Sequence, residues 1–140
     1  MTELNSKHRA ASRRRAKSIR GVLERYFAAM RAHDWSALAD TLAEHVHRTG
    51  PFLDHVRGRR AYVDFLARVV PALPHYALDV ARIRALEDGA ALVELCESMD
   101  RDGERRSYPE ALLFEFDGDG RIARVEIYIQ QPPRATGSPD

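Results

Sequence analysis

The chain has 140 residues, a net charge of +1 and a single cysteine, Cys96. This length fits one domain with its own hydrophobic core, and a lone cysteine excludes an internal disulfide and fits a reducing compartment. The sequence contains no apolar run long enough to span a membrane and no hydrophobic signal segment, so we expect a cytoplasmic protein without membrane association.

Basic residues are concentrated at the start of the chain. Residues 1–20 contain seven Lys or Arg and one acidic residue, Glu3. Such a segment can contact nucleic acid or another acidic surface, but the rest of the chain has neither excess positive charge nor a nucleic-acid-binding motif. We therefore expect no nucleic-acid partner, and we interpret residues 1–17 as a flexible tail or a frayed helical extension. The Pro-rich residues 132–140 predict a disordered tail, which leaves residues 18–131 as a single domain.

Three helices are predicted in the first half of the domain. Apolar residues at helical spacing predict the first helix: Ile19, Val22, Leu23, Tyr26, Phe27 and Met30. Asp34 or Ser36 can cap a short second helix that carries Trp35. A third helix with the same kind of apolar stripe, containing Tyr62 and Phe65, follows the loop 52–58 and ends before Pro71.

A short strand, residues 46–49, is predicted between the second and third helices and ends at Gly50-Pro51. On a regular strand we expect His47 to point inward, with Thr49 beside it. A lone histidine is more often a structural residue, and this alternative stays open.

Residues 76–130 predict four antiparallel strands joined by three turns, Asp88-Gly89, Asp102-Gly103 and Asp119-Gly120. Asp-Gly pairs favour the type I′ turn, because both central residues of that turn have positive φ. A two-residue turn at Asp102-Gly103 pairs Leu95 with Glu110 and Glu97 with Tyr108. The hydrophobic alternation shifts after Val80, which predicts a β-bulge.

This register places Glu97 and Glu110 on an otherwise apolar face of the sheet, roughly 7–8 Å apart on a diagonal. An unpaired buried carboxylate is costly, so such groups are paired, bind a metal or become neutral through a raised pKa. Two interpretations remain open. Each acid forms a cross-strand ion pair with Arg82 or Arg106, or the two acids lie in a pocket.

Four segments of the chain together resemble a known family: residues 25–30, 33–38, 56–59 and 116–122. The family they resemble is the nuclear transport factor 2-like superfamily, and more narrowly its SnoaL-like branch of polyketide cyclases and ketosteroid isomerase relatives. The resemblance implies an α+β fold in which a curved antiparallel sheet forms a cone around about three N-terminal helices. It also implies a mostly apolar pocket at one end and a homodimer formed through the outer sheet face. The apolar residues Leu92, Leu113 and Tyr128 on that face favour the same dimer.

The resemblance also suggests roles for individual residues. Tyr26 matches the tyrosine of helix one that, in ketosteroid isomerases, donates a hydrogen bond to the enolate oxygen. Glu110 lies on the strand that carries the acid/base aspartate of SnoaL-like cyclases. The isomerases' base position falls at Thr49 or Gly50 and their second acid position at Leu112, so we do not expect a steroid isomerase.

We therefore predict Glu110 as the proton-transferring group, helped by Tyr26, with Glu97 or His47 as modulator. Asp54 and His55 are expected at the pocket mouth. The predicted substrate-binding residues are Trp35, Thr49, Phe52, Tyr62, Phe65, Leu95, Tyr108, Leu112 and Ile127.

The function predicted from these residues is a cofactor-independent enzyme. It would cyclise, isomerise or dehydrate a hydrophobic polyketide-like or carbonyl-bearing small molecule by proton transfer. The alternative is a non-catalytic small-molecule-binding or dimerisation module. No metal is expected, because the histidines lack ligand spacing, and no cofactor is expected, because phosphate-binding and dinucleotide motifs are missing.

Overall fold

The computed structural model describes residues 2–131, in which N-terminal helices pack on one six-stranded, curved and open sheet. The helices are α1 (Thr2–Ala32), α2 (Trp35–Asp40) and α3 (Arg59–Val69), followed by a 3-10 turn (Val70–Ala72). The strands are β1 (Leu42–Thr49), β2 (His55–Arg57), β3 (Ala77–Ala85), β4 (Ala91–Arg101), β5 (Glu104–Phe116) and β6 (Ile122–Ile129). The predicted α+β fold class is confirmed. None of the helices in this part of the chain is long and apolar enough to cross a bilayer.

Helix α1 begins earlier than its apolar stripe predicts. Residues 2–17 continue the helix, in agreement with the helical extension given as one of the two alternatives for this segment, and residues 3–9 are exposed to solvent. Ala, Arg and Lys are good helix formers, so the helix continues without an apolar face to bury. The proposed domain limits remain a prediction, and residues 132–140 lie outside the described part of the chain.

The predicted register is correct for β4 and β5, the central two of the last four strands. Leu95 pairs with Glu110 and Glu97 with Tyr108, and the register shift between Val80 and Arg82 is the predicted bulge. The inward-facing residues Val93, Leu95, Leu112, Phe114 and Val125 are buried, whereas Tyr128 on the outer face is 59% exposed.

The type I′ prediction holds at one of the three Asp-Gly turns. Asp102 and Gly103 both have positive φ, 52° and 77°. At the other two turns only the glycine does, with φ of 88° at Gly89 and 80° at Gly120. Those turns are longer loops closed by a bond from the glycine N–H to the carbonyl three residues earlier, so type I′ is wrong there. A glycine in the left-handed region is typical of three-residue hairpin loops as well.

The sheet is mixed rather than wholly antiparallel, with strand order β2-β1-β6-β5-β4-β3. Strand β1 runs parallel to β6, with Arg48 opposite Val125. Strand β2, predicted as loop, pairs antiparallel with β1 and forms one edge of the sheet. After β1 the chain passes through β2, α3 and strands β3, β4 and β5, and β6 then pairs with β1.

The face of β1 that points inward is the opposite of the predicted one. Val46 is fully buried and Arg48 is 8% exposed, so these two residues face the core. His47 and Thr49 therefore lie on the other side of the sheet, since side chains alternate along a strand. The inward orientation predicted for His47 is wrong, because burial of Val46 determines which face of the strand meets the core.

Candidate active site

A cavity of about 270 Å³ lies between the inner face of the sheet, helix α1 and helix α3. Its lining is mostly apolar, as expected where two helices cover a hydrophobic sheet face. It includes these residues predicted from the sequence: Tyr26, Phe52, Tyr62, Phe65, Leu95, Glu97, Tyr108, Glu110, Leu112 and Ile127. The fold therefore brings together in one cavity side chains from both halves of the chain.

Three predicted site residues do not line this cavity, and neither does His55. Trp35 stacks on His33 at the start of α2, with ring centroids 5.6 Å apart. His47 and Thr49 lie on the outer side of the sheet, where His47 Nε2 is 2.9 Å from His55 Nδ1. His55 therefore belongs to this outer pair and not to the pocket mouth.

Glu97 and Glu110 both line the cavity, and neither is held by the arginines considered from the sequence. Arg82 pairs instead with Glu94 at 2.6 Å, and Arg106 pairs with Glu104 at 3.4 Å. The cross-strand ion-pair interpretation is therefore wrong for both acids. The Tyr76 hydroxyl donates a hydrogen bond to Glu97 Oε2.

Glu110 is the more buried acid, with 7% of its surface exposed. Burial raises the pKa of Glu110 to about 10, and a hydrogen bond with Glu97 and the charge of Glu97 act in the same direction. Like charges in one apolar site cannot both ionise without a large cost. Glu110 therefore keeps its proton at neutral pH and can donate it. The sequence predicted a pKa close to neutrality, and the structure places it higher.

The hydroxyl of Tyr26 is not free, because it lies 2.7 Å from the hydroxyl of Tyr62. Both rings are 1% exposed, and burial raises the pKa of both tyrosines, so both hydroxyls stay protonated. One proton of the pair forms the bond between the two oxygens. The other proton remains available to a ligand oxygen in the cavity, so Tyr26 can donate directly or through Tyr62.

Arg48 lines the same cavity, and the sequence prediction missed it. Its Nη1 donates to Asp54 Oδ2 at 3.3 Å, and its guanidinium carbon lies 4.6 Å from the centroid of the Phe65 ring. The sequence signal was its position two residues after Val46, which places both on one strand face. Tyr76 was missed as a site residue because its contact with Glu97 depends on the pairing of β3 with β4.

Two buried side-chain polar atoms in residues 2–131 lack a hydrogen-bond partner: Glu110 Oε2 and Arg48 Nε. Both residues line the cavity. Buried polar groups in folded proteins nearly always have a hydrogen-bond partner, so an unpartnered one needs an explanation, and a catalytic or ligand-binding role is one such explanation. Within the same range, no three His, Cys, Asp or Glu side chains are grouped closely enough to hold a metal ion.

The sequence matches the SnoaL-like domain family over residues 23–125. A comparison with curated protein sequences finds no match. Bal32a from a soil-derived mobile gene cassette is similar in structure, with a TM-score of 0.73 and 18% identity over 82% of this chain and 91% of that chain. An LEH-like epoxide hydrolase of M. tuberculosis has a TM-score of 0.70 and 21% identity over 81% of this chain and 84% of that chain. SalBIII, an epoxide hydrolase/cyclase-like enzyme of pyran ring formation in the polyether salinomycin, has a TM-score of 0.71 and 18% identity over 81% of this chain and 92% of that chain. At these identities the structural likeness establishes the fold. Together with the family match, it confirms the resemblance found in the sequence: the chain belongs to the SnoaL-like domain family.

Proposed function

We propose that this protein is a cofactor-independent enzyme that transfers protons on a hydrophobic, oxygen-bearing small molecule. The reaction class is cyclisation, isomerisation or dehydration. The observation that carries the proposal is the position of Glu110 in the lining of an apolar cavity together with a second acid, Glu97. Burial there raises the pKa of Glu110, and its Oε2 atom has no hydrogen-bond partner.

The acid pair supports a reaction in which the protons balance. Glu110 donates its proton to a carbonyl, epoxide or hydroxyl oxygen of the substrate as that oxygen gains negative charge. Glu97, held in place by the Tyr76 hydroxyl, accepts a proton from the carbon or hydroxyl group that reacts. A proton then returns from Glu97 to Glu110, which restores the starting state.

The Tyr26–Tyr62 pair supports the same chemistry from the helical side of the cavity. Its free hydroxyl proton is a fixed donor for an oxyanion that forms on the substrate, and donors fixed in a dry site lower the barrier most. The names of two similar structures, an epoxide hydrolase and an epoxide hydrolase/cyclase-like enzyme, favour epoxides among the substrates to be tried. Opening an epoxide requires protonation of its oxygen, which is the role proposed for Glu110.

The test compares turnover by the wild type and by Glu110→Gln on hydrophobic epoxides, hydroxy-epoxides and enolisable ketones. Gln keeps the shape of Glu but cannot donate an acidic proton, so we expect turnover to fall by about 10²–10⁴-fold. Glu115→Gln, a partly exposed acid on the same strand, is the matched control and should retain wild-type turnover.

Full activity of Glu110→Gln would refute the proposed function. If the wild type binds these molecules in the cavity but converts none of them, the non-catalytic small-molecule-binding module becomes the better description. Crystallographic or NMR evidence of a ligand against Glu110 and Tyr26 would separate that outcome from a failure to bind.

A further inference from the structure

Arg48 is the buried cation of the cavity. Among the described residues, the buried charged side chains are Arg48 and Glu110. Arg101 also lines the cavity, but it is exposed at the end of β4. A guanidinium keeps its charge at every physiological pH, so this position carries a permanent positive charge beside an apolar space.

The hydrogen bonds of Arg48 use only part of its donor capacity. Nη1 reaches Asp54 at 3.3 Å, a long contact to a side chain that is 48% exposed, and Nε is buried without a partner. The guanidinium carbon of Arg48 lies 4.6 Å from the centroid of the Phe65 ring. A guanidinium that lines a cavity and has unused N–H donors can bind a carboxylate there through charge-assisted hydrogen bonds.

We propose that the substrate of this cavity is a hydrophobic monocarboxylic acid whose carboxylate binds the guanidinium of Arg48. This inference rests on the proposed function for the reaction itself, since the same molecule would present its reacting oxygen to Glu110. One guanidinium balances one negative charge. A dianionic phosphate would bring a second, unbalanced negative charge into a cavity that Glu97 and Glu110 also line, which disfavours it.

The size of the cavity limits the apolar part of the molecule. A protein cavity of about 150 Å³ lined by apolar residues binds benzene, and this cavity measures about 270 Å³. Two fused rings, or a chain of similar volume, therefore fit between helices and sheet. A suitable probe is 2-naphthoate, and its neutral analogue 2-naphthamide has nearly the same shape without the charge.

The experiment measures the affinities of 2-naphthoate and 2-naphthamide at pH 7 by isothermal titration calorimetry. A charge-assisted pair of hydrogen bonds predicts roughly ten- to hundredfold tighter binding of 2-naphthoate to the wild type. Arg48→Gln should lose this preference and still bind 2-naphthamide. Arg60→Gln, which removes an exposed arginine of α3 that does not line the cavity, should keep it.

A second variant keeps the test valid if Arg48→Gln fails to fold. Asp54→Asn removes the charge that competes for Arg48 and lies in an exposed loop, so we expect tighter binding of 2-naphthoate and unchanged binding of 2-naphthamide. Equal affinities of the two probes for the wild type, no detectable binding of 2-naphthoate, or weaker 2-naphthoate binding in Asp54→Asn would each overturn the inference.

The outcomes for Arg48 and Glu110 separate the two proposals. If Glu110→Gln remains fully active while Arg48→Gln loses the preference for 2-naphthoate, the proposed function fails and the carboxylate site stands. If Glu110→Gln is inactive while the wild type binds both probes equally, the carboxylate site fails and the proposed function stands.

Discussion

Replacing Glu110 by Gln should change how the stability of the fold depends on pH. In the folded protein the pKa of Glu110 is raised from an ordinary value of 4.5 to about 10. The stability associated with the protonated carboxyl is complete below the unfolded pKa and is lost as pH rises towards the folded pKa. Between these values unfolding releases one proton from Glu110, so the wild type becomes less stable with rising pH.

The size of this effect follows from linkage. One proton released on unfolding lowers the free energy of unfolding by about 1.4 kcal/mol per pH unit. Between pH 6 and pH 8 the loss is therefore about 2.7 kcal/mol, and it is the same for any folded pKa well above 8. Gln does not ionise, so the free energy of unfolding of Glu110→Gln should rise by about this amount relative to that of the wild type between pH 6 and pH 8.

Urea unfolding of both proteins at pH 6, 7 and 8 measures the difference directly. Histidines and surface acids titrate alike in the two proteins, so their contributions cancel in the difference. Glu115→Gln serves as the matched control and should follow the wild-type curve. Parallel curves for wild type and Glu110→Gln would show that Glu110 is ionised in the folded state, which would refute the reasoning.

Three further predictions concern the groups around the acids and the outer sheet face. Tyr26→Phe and Tyr62→Phe should each cost about 1–3 kcal/mol of unfolding free energy by stranding the other hydroxyl, whereas the double variant should cost less than their sum; additive costs would contradict the 2.7 Å contact. Tyr76→Phe should cost about 1–3 kcal/mol of unfolding free energy, because it removes the hydrogen bond that the Tyr76 hydroxyl donates to Glu97, and an unchanged urea midpoint would argue against that bond. We also propose a homodimer through the outer face, where Tyr128 is 59% exposed: light scattering should give twice the chain mass at micromolar concentration and the single mass for Tyr128→Arg, and a monomeric wild type would contradict it.

Local signals explain what the sequence predicts well. The turn at Asp102-Gly103 has two residues with positive φ, so it sets the register of β4 and β5 without help from the rest of the fold. That register alone places Glu97 and Glu110 on one apolar face. The same Asp-Gly pair also fits three-residue loops, which is why turn type was wrong at the other two turns.

The remaining errors arise where distant parts of the chain meet. The parallel pairing of β1 with β6 joins residues such as Arg48 and Val125. A local sequence pattern cannot predict a partner strand that lies so far away in the sequence. Knowledge that Val46 is buried would have shown which face of β1 meets the core. It would then have predicted Arg48, and not His47, as the inward-pointing residue of this strand. The Tyr26–Tyr62 contact depends on how α1 and α3 pack, so the sequence alone could name both residues but not their bond.

The central claim is that Glu110 is a protonated acid in an apolar cavity. An NMR titration of the Glu110 carboxyl carbon tests this claim most directly. Protein labelled with ¹³C at the glutamate side-chain carboxyl can be titrated by NMR, and the Glu110 signal is identified by its loss in Glu110→Gln. The structure predicts that this signal keeps its protonated chemical shift from pH 5 to pH 8, with a midpoint near 10. A midpoint at or below pH 6 would contradict the account.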